Sequence, residues 1–330
     1  MKYFFITPIR YFYPMKLLSV ILLAVIICTS VSSCKKETYT TSKMASVYLS
    51  VDTLNFDTVF TKAGSITQYF KIFNNNNQKL LLSNVQLMGG ANSYFKLNLD
   101  GSAGTVFNNQ TIEANDSLYG FVTVTINPND SIKPFVISDS IRIIYNGDTT
   151  FLQLRASGQN ANRLNNVTIT HDTTWTNNLP IVISGGVTIN SGATLTITQG
   201  TKVYLNQHAP IIVNGTLVAK GSNDSSGAIT FLCDRLDAPY STLPGSWPGI
   251  YFTASSVNNL LQYCNISNSN EGVSVQSGTS NGTTKITLNQ CIFNNVKDVA
   301  IKGTNTSIVA NNCLVSNSGY NVLQIGRAHV

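Results

Sequence analysis

Charged residues are scarce in this chain of 330 residues: Asp, Glu, Lys and Arg make up only 11% of it, whereas about a quarter is usual in a soluble domain. The surface must therefore be built from uncharged polar side chains, and all 38 Asn residues lie after position 50. Cysteine is missing between Cys34 and Cys233, which excludes a disulfide within that span. Abundant β-branched residues and turn-forming Asn and Gly predict an all-β protein rather than a disordered one.

A strong positive charge is also missing. The formal net charge is +6, but Lys2, Arg10 and Lys16 belong to an N-terminal leader, so the chain from Cys34 onward carries 18 − 15 = +3. No basic stripe with interleaved aromatic residues occurs, which argues against a nucleic-acid partner. We expect no cofactor and no bound metal.

The N-terminus carries an export signal. An apolar run over residues 17–27 is too short to favour spanning a bilayer, which is typical of a signal peptide. Residues 31–34 (Val-Ser-Ser-Cys) follow and resemble a bacterial lipobox. The resemblance implies a signal peptide over residues 1–33, cleavage before Cys34 and acylation of that residue. It places the protein at the outer membrane, lipid-anchored, on the cell surface or on the periplasmic face.

Two alternatives stay open at this end of the chain. An ordinary secretory signal with a chance cysteine is the alternative to the lipobox. The chain starts at Met1 or at Met15, which gives a leader of more usual length. Residues 34–44 are polar and rich in Thr, which predicts a flexible tether.

Short alternating strands fill residues 45–160. Apolar residues alternate from Val47 onward, and breaks such as Asn146-Gly147 supply turn chemistry at the spacing of a β-sandwich. The segments 54–59 (Leu-Asn-Phe-Asp-Thr-Val), 73–75 (Phe-Asn-Asn) and 126–128 (Ile-Asn-Pro) resemble immunoglobulin-like modules of the abnormal-spindle/Hydin type. The resemblance implies a binding or spacer module.

Internal repeats characterise residues 165–323. Three segments share the frame Cys-x-apolar-x-Asn, spaced 27 and 22 residues apart. In a strand, the Cys and the residue two positions later point inward, and coils stacked about 4.8 Å apart align the Asn amides as a ladder. That spacing exceeds the about 3.5–4.5 Å between Cβ atoms that a disulfide needs. We therefore predict a parallel β-helix with a ladder of Asn268, Asn295 and Asn317 and a reduced apolar column of Cys264, Cys291 and Cys313.

A second resemblance covers nearly the whole mature chain. Residues 245–252 (Gly-Ser-Trp-Pro-Gly-Ile-Tyr-Phe), after 214–217 (Asn-Gly-Thr-Leu) and 229–231 (Ile-Thr-Phe), resemble the right-handed β-helix repeat lipoproteins of Bacteroidetes. The lipobox and the sandwich precede them in the same order. The resemblance implies an all-β chain with an immunoglobulin-like β-sandwich followed by a right-handed, pectate-lyase-like parallel β-helix. It implies almost nothing about activity.

Residues 324–330 differ from the repeats. Residues 325–330 (Ile-Gly-Arg-Ala-His-Val) match the translation of a common short-read sequencing adapter, and Gln324 is compatible with the preceding adapter bases. We expect this tail to be an artefact and the β-helix to be truncated inside a coil at Leu323.

No catalytic constellation stands out in the β-helix region. Pectate lyases and polygalacturonases share this fold and need carboxylates clustered on neighbouring coils. We expect no such cluster, because the acidic residues show no repeat at coil spacing. Asp234 and Asp237 share a loop with Arg235, and a Ca²⁺ site there is the alternative to a solvated loop. The acidic residues of the region are Asp172, Asp224, Asp234, Asp237, Glu271 and Asp298.

A recurrent triplet, Asp-Ser/Thr followed by an apolar residue or Thr, begins at seven of the twelve Asp residues. It resembles the O-glycan acceptor motif of Bacteroidetes envelope proteins. The alternative is strand entry, in which the Asp closes a turn, the hydroxyl faces out and the third residue faces in. The implied acceptors are Thr53, Thr58, Ser117, Ser131, Ser140, Thr149 and Thr173.

These observations favour a non-enzymatic envelope lipoprotein. We expect a monomer whose β-helix presents an extended Asn, Thr and Ser surface to glycan or to another envelope protein. The alternative is a polysaccharide lyase or glycoside hydrolase truncated before its active site.

The anchor is tested by replacing its cysteine. We expect Cys34→Ala to abolish labelling with a radioactive fatty acid and to release the protein from membranes, because stable anchoring requires several acyl chains. The replacement of Cys28, in the apolar leader, by Ala is the control and should leave labelling intact. Unchanged labelling of the Cys34 variant would exclude the lipobox.

Overall fold

The structure, a computed structural model, describes residues 38–129, 133–224, 226–277 and 283–326. A β-sandwich is followed by a parallel β-helix, so the predicted fold class is confirmed. Cys34 and Ser131 lie outside the described residues. Within those four ranges no helix has the length and apolar character needed to cross a membrane.

The sandwich consists of two five-stranded sheets. Its strands are β1 (Val47–Leu49), β2 (Thr53–Phe60), β3 (Gln68–Asn74), β4 (Leu80–Leu87), β5 (Phe95–Leu99), β6 (Ser102–Gly104), β7 (Val106–Ile112), β8 (Asp116–Val124), β9 (Phe135–Tyr145) and β10 (Asp148–Gln159). One sheet is antiparallel with the order β1-β3-β8-β5-β6, and the other has the order β2-β10-β9-β4-β7 with β2 parallel to β10. Alternate residues of each strand are buried between the sheets, as Phe70 and Ile72 of β3 and Val122 of β8 show.

Local turn chemistry fixes the sandwich at two places. Asn146 and Gly147 join β9 to β10 with φ values of +46° and +86°, which is the two-residue turn that the Asn-Gly pair predicts. Asp57 (φ +21°) forms a bulge in β2, because Phe56 pairs with Ala156 and Thr58 with the next residue, Ser157.

The predicted tether is in part packed against the sandwich. Tyr39 forms a parallel bridge with Lys79, and the amide of Asn146 donates hydrogen bonds to the carbonyls of Thr40 (3.1 Å) and Ser42 (3.0 Å). These bonds satisfy backbone groups that a free tether would leave to water. Contacts with the sandwich therefore begin before the predicted boundary at residue 45.

Within the part of the chain that the structure describes, the β-helix contains twenty short strands in three parallel sheets. The first sheet has the order β11-β14-β17-β20-β23-β26-β29, the second β12-β15-β18-β21-β24-β27-β30 and the third β13-β16-β19-β22-β25-β28. The strands are β11 (Asn162–Leu164), β12 (Val167–Ile169), β13 (Thr173–Trp175), β14 (Ile181–Ile183), β15 (Val187–Ile189), β16 (Thr194–Thr198), β17 (Lys202–Leu205), β18 (Ile211–Val213), β19 (Thr216–Lys220), β20 (Ile229–Cys233), β21 (Ile250–Phe252), β22 (Asn259–Gln262), β23 (Cys264–Ser267), β24 (Val273–Gln276), β25 (Thr284–Asn289), β26 (Ile292–Val296), β27 (Val299–Thr304), β28 (Ser307–Asn311), β29 (Leu314–Ser318) and β30 (Asn321–Gly326).

Coils stack in register, so apolar residues form columns inside the helix. One column runs through Val187, Ile211, Ile250, Val273 and Ile301, and all five side chains are buried. Complete burial of such an aliphatic side chain contributes about 1.5–3 kcal/mol. The core is therefore a continuous stack to which each coil contributes.

The sandwich packs on the first coils of the helix. The rings of Phe60 and Tyr204 have centroids 4.9 Å apart. Val182, which pairs with Tyr204 across neighbouring strands, lies outside the helix core and is nevertheless only 1% exposed. Apolar contacts thus hold this junction.

The cysteine column lies inside the first sheet. Cys264 and Cys291 are buried, Cys313 is half-buried, and none of the three forms a disulfide. The thiol of Cys291 donates to the carbonyl of Leu261 on the preceding coil, with a sulfur–oxygen distance of 3.3 Å. The interaction with the Cys264 thiol, together with burial, raises the pKa of Cys291 to about 12.

Thiol alkylation tests this column. In a chain that begins at Lys35, we expect Cys264 and Cys291 to resist iodoacetamide at pH 8 until the protein unfolds, because they are buried and the thiolate is the reactive form. Cys313 should react slowly, since it is half-exposed but interaction with Cys291 raises its pKa. Peptide mass spectrometry reports each site. Rapid labelling of Cys291 in the native state would contradict the stacked arrangement.

Candidate functional site

The predicted asparagine ladder holds a long loop at one corner of the helix. Asn268 and Asn295 both occupy left-handed turns (φ +63° and +57°), and the amide of Asn295 donates to the side-chain oxygen of Asn268 at 2.8 Å. Their amides also donate to loop carbonyls, Asn268 to Ser241 (2.7 Å) and Asn295 to Thr242 (2.6 Å). The loop runs from residue 234 to 249, between β20 and β21.

Asn317 stands in the same position one coil later. It has the same left-handed conformation (φ +55°), but it is exposed. Within the described ranges, no hydrogen bond joins its side chain to Asn295. The side-chain ladder in the structure therefore consists of Asn268 and Asn295.

Both acidic residues of the loop, Asp234 and Asp237, form hydrogen bonds with other side chains. Arg235 binds Asp237 through two hydrogen bonds of 2.8 Å, which lower the pKa of that carboxyl, and its guanidinium lies 4.0 Å from the centre of the Tyr240 ring. Asp234 accepts a hydrogen bond from Asn206 at 3.1 Å. Among the described residues, no group of three or more His, Cys, Asp or Glu side chains could hold a metal ion.

Next to this loop, four side chains form what we call the corner cluster: Tyr251, Glu271, Asp298 and Lys302. Tyr251 of β21 and Lys302 of β27 both pair with Ser274 of β24, so they lie on the outer face of three consecutive coils. Lys302 Nζ is 2.9 Å from Glu271 Oε1.

Small residues allow the coils to meet at this corner. A Cβ atom on Gly249 (φ +135°) would stand 2.3 Å from the carbonyl oxygen of Glu271. One on Gly272 would stand 2.2 Å from the carbonyl oxygen of Ala300. Neither distance is sterically allowed, so both glycines are required where they stand.

The expectation that no acidic residues repeat at coil spacing is wrong for one pair. Glu271 and Asp298 are 27 residues apart, the same interval that separates Cys264 from Cys291. The backbone N–H of Asp298 donates to the carbonyl of Asn270 at 2.8 Å, which places the two acidic residues on neighbouring coils. Two carboxylates are therefore brought to one corner of the helix.

Charges within the corner cluster shift the pKa values of two of its members. Burial, followed by the negative charges of Glu271 and Asp298, raises the pKa of Tyr251 to about 12, and its hydroxyl donates to the carbonyl of Pro248 at 3.0 Å. The hydrogen bond to Glu271 raises the pKa of Lys302. Tyr251 is thus a neutral phenol and Lys302 an ammonium at neutral pH. Oxygen Oε2 of Glu271 is buried and has no hydrogen-bond partner among the described residues.

Polar side chains also line part of the outer face of the third sheet. On the third sheet, one outward column runs through Thr198, Lys220, Gln262, Asn289 and Asn311. The amide of Asn311 donates to the side-chain oxygen of Asn289 at 3.1 Å. A polar column with one charged member, Lys220, therefore extends along the coils of the third sheet.

The predicted acceptor hydroxyls differ in accessibility. Thr53 and Thr149 are exposed, whereas Thr58, Ser117, Ser140 and Thr173 are half-buried. In four triplets, a strand begins at the Asp or at the hydroxyl residue, which fits strand entry: β2, β8, β10 and β13. The third residue is buried at Leu54, Val59, Leu118 and Ile141, but Thr150 is half-buried and Thr174 exposed.

Two triplets have structural roles of their own. Thr58 lines a cleft of about 290 Å³ between the sandwich and the loop. Asp139 accepts hydrogen bonds from the N–H of Gly89 (3.0 Å) and the hydroxyl of Ser93 (2.5 Å). Asp139 therefore stabilises the structure locally, whether or not its triplet is an acceptor site.

Comparisons with known proteins give no family. No protein-family model matches this chain, and no curated protein sequence matches it. A family 123 glycoside hydrolase from Clostridium perfringens is similar over 37% of this chain and 26% of its own, at 14% identity and a TM-score of 0.26. A protein of unknown function from Porphyromonas gingivalis W83 is similar over 38% of this chain and 59% of its own, at 9% identity and a TM-score of 0.26. The chain spans less than two thirds of either structure, and similarities this low carry no functional argument.

Glycosylation is best tested at the most accessible acceptor. We expect Asp52→Ala to remove glycan from Thr53 in the native host with under about 0.5 kcal/mol loss of stability, since both residues are exposed. Asp100→Ala, at an exposed Asp outside any triplet, is the control. Intact mass spectrometry reads the result. A wild-type mass equal to that of the lipidated polypeptide alone would leave strand entry as the meaning of the triplets.

Proposed function

We propose that this protein is a lipid-anchored envelope protein that binds glycan through the outer surface of its β-helix and does not cleave it. The proposal includes the finer assignments: acylation at Cys34, an immunoglobulin-like sandwich, a right-handed helix and kinship with the Bacteroidetes β-helix repeat lipoproteins. Their support is the order of lipobox, sandwich and repeats in one chain.

The corner cluster is the observation that carries the binding function. It combines a half-buried aromatic ring (Tyr251), the carboxylate of Asp298 and the ammonium of Lys302, which the buried carboxylate of Glu271 holds in place. Glycans present both hydroxyls, which carboxylates and ammonium groups bind by hydrogen bonds, and apolar C–H faces, which pack on aromatic rings. The neighbouring loop lies beside the cluster, and hydrogen bonds from the side-chain amides of Asn268 and Asn295 hold it there.

The internal pairing of the cluster favours binding over catalysis. Glu271 is paired with Lys302, and Tyr251 is a neutral phenol whose hydroxyl donates a hydrogen bond to the carbonyl of Pro248. A general base or nucleophile needs a pKa near the operating pH and a free position toward the substrate. These groups are arranged to orient a ligand.

A polysaccharide lyase or glycoside hydrolase is the second candidate. The observation in its favour is the Glu271–Asp298 pair on consecutive coils, because glycosidases act with two carboxylates. One experiment separates the two candidates.

Affinity electrophoresis through gels that contain polygalacturonate, or a neutral glucan, measures binding. We expect Lys302→Ala and Tyr251→Ala to weaken retention about tenfold, since a hydrogen bond to a charged group contributes about 1.5–3 kcal/mol. Lys220→Ala, on the third sheet, is the matched control and should bind as wild type. Circular dichroism checks that each variant is folded.

Product formation is followed in the same samples. New reducing ends, or absorbance at about 232 nm from unsaturated uronides, that disappear in Glu271→Gln would establish the enzyme and overturn the binding proposal. If the Tyr251 and Lys302 variants were retained as strongly as the wild type, the corner cluster would not be the binding site.

A further inference from the structure

One face of the sandwich exposes an array of aromatic rings that the binding function of the helix does not use. We call it the aromatic face: the outward side chains Tyr48, Tyr69, Phe73, Tyr119 and Phe121. They lie on β1, β3 and β8, next to one another in the antiparallel sheet. Tyr48 is 62% exposed and Tyr69 59% exposed, so these rings are not part of the core.

The rings form two groups, and the ammonium of Lys71 lies between them. Ring centroids are 5.9 Å apart for Tyr48 and Phe73, 6.2 Å for Tyr69 and Tyr119, and 6.1 Å for Tyr119 and Phe121. The planes of Tyr119 and Phe121 differ by only 13°, which makes this pair the flattest part. Two strand spacings separate β1 from β8, so the face is about 10 Å wide.

Two lysines stand among the rings. The ammonium of Lys71 lies 4.4 Å from the centre of the Tyr119 ring and 5.9 Å from that of Phe73, which fixes the position of its charge. Lys96 of β5 is exposed and pairs with Thr123 of β8.

A groove of about 360 Å³ borders the array. It is lined by the polar residues Thr67, Lys96, Asn98 and Thr123 and by the apolar residues Leu97, Ala103 and Phe121. An aromatic ring flanked by hydroxyl, amide and ammonium groups offers both stacking and hydrogen bonds. A bilayer would leave these polar groups without partners, which disfavours insertion of this edge into lipid.

We propose that the aromatic face binds an acidic polysaccharide. Sugar rings stack on Tyr69, Tyr119 and Phe121, while carboxylate or sulfate groups of the chain pair with Lys71 and Lys96. Within the described strands of this sheet, Lys71 and Lys96 are the charged side chains that share the face with the rings. Two exposed carboxylates lie at its ends, Asp116 at the start of β8 and Asp100 in the turn after β5. The charges among the rings are therefore positive and complement an anionic ligand. This site is separate from the corner cluster and does not depend on it.

Binding by the full chain from Lys35 is measured by isothermal titration with three probes: polygalacturonate, dextran sulfate and neutral dextran. We expect Tyr69→Ala combined with Tyr119→Ala to weaken binding of both anionic polymers at least about tenfold. Tyr119→Phe, which keeps the ring, should bind as wild type. Phe151→Ala, at a 46% exposed ring on β10 of the other sheet, is the matched control.

The charge requirement is tested by Lys71→Ala combined with Lys96→Ala. This variant should lose the preference for the anionic polymers, and raised salt should mimic the loss. Wild-type binding of neutral dextran as tight as that of polygalacturonate would overturn the assignment of an acidic ligand.

Two further results would overturn the proposal, because each would show that the face binds something other than a polysaccharide. One is binding to phosphatidylglycerol vesicles without binding to either anionic polymer. The other is a dimer in light scattering that Tyr69→Ala with Tyr119→Ala dissociates. Repeating the titrations in the Lys302→Ala background separates the two sites. Because the aromatic face is a site of its own, Tyr69→Ala with Tyr119→Ala should reduce affinity by the same factor in this background as in the wild type.

Discussion

A coil of a parallel β-helix leaves its backbone N–H and C=O groups open toward both neighbouring coils, and only the next coil satisfies them. This constraint sets the register of every strand in the helix of the present protein. Because the pairing is in register, a residue that points inward on one coil lies above a residue that points inward on the next, as Val187, Ile211 and Ile250 do. Columns of similar side chains follow from the backbone pairing, inside and outside the helix.

The same register explains how functional groups reach one place. Glu271 and Asp298 are far apart in sequence but stand on consecutive coils, and Tyr251 and Lys302 flank Ser274 across three coils. The corners between sheets are the positions where extra residues can be inserted without breaking the pairing. The loop over residues 234–249 lies at such a corner, beside the charged groups.

The fold followed from the sequence because alternation and repetition are local signals. The Cys-x-apolar-x-Asn frame predicted inward cysteines and Asn turns, and the Asn146-Gly147 pair predicted its hairpin. The carboxylate pair was missed although the 27-residue offset was known, because Glu271 and Asp298 are different residue types. The aromatic face was missed for another reason: in Tyr69–Phe73 the apolar residues fall on both sides of β3, so periodicity alone does not tell which rings face solvent. The tether boundary depended on a long-range contact, Tyr39 with Lys79, that has no local signature.

The anchoring of the corner loop has a consequence for variation among related chains. Asn268 and Asn295 bind the main-chain carbonyls of residues 241 and 242 in the loop. These hydrogen bonds do not depend on the side chains at those two positions. Every amino acid offers the same carbonyl. The side chains that the loop presents to its surroundings are therefore free to diversify while the scaffold, and the position of the loop on it, remains constant.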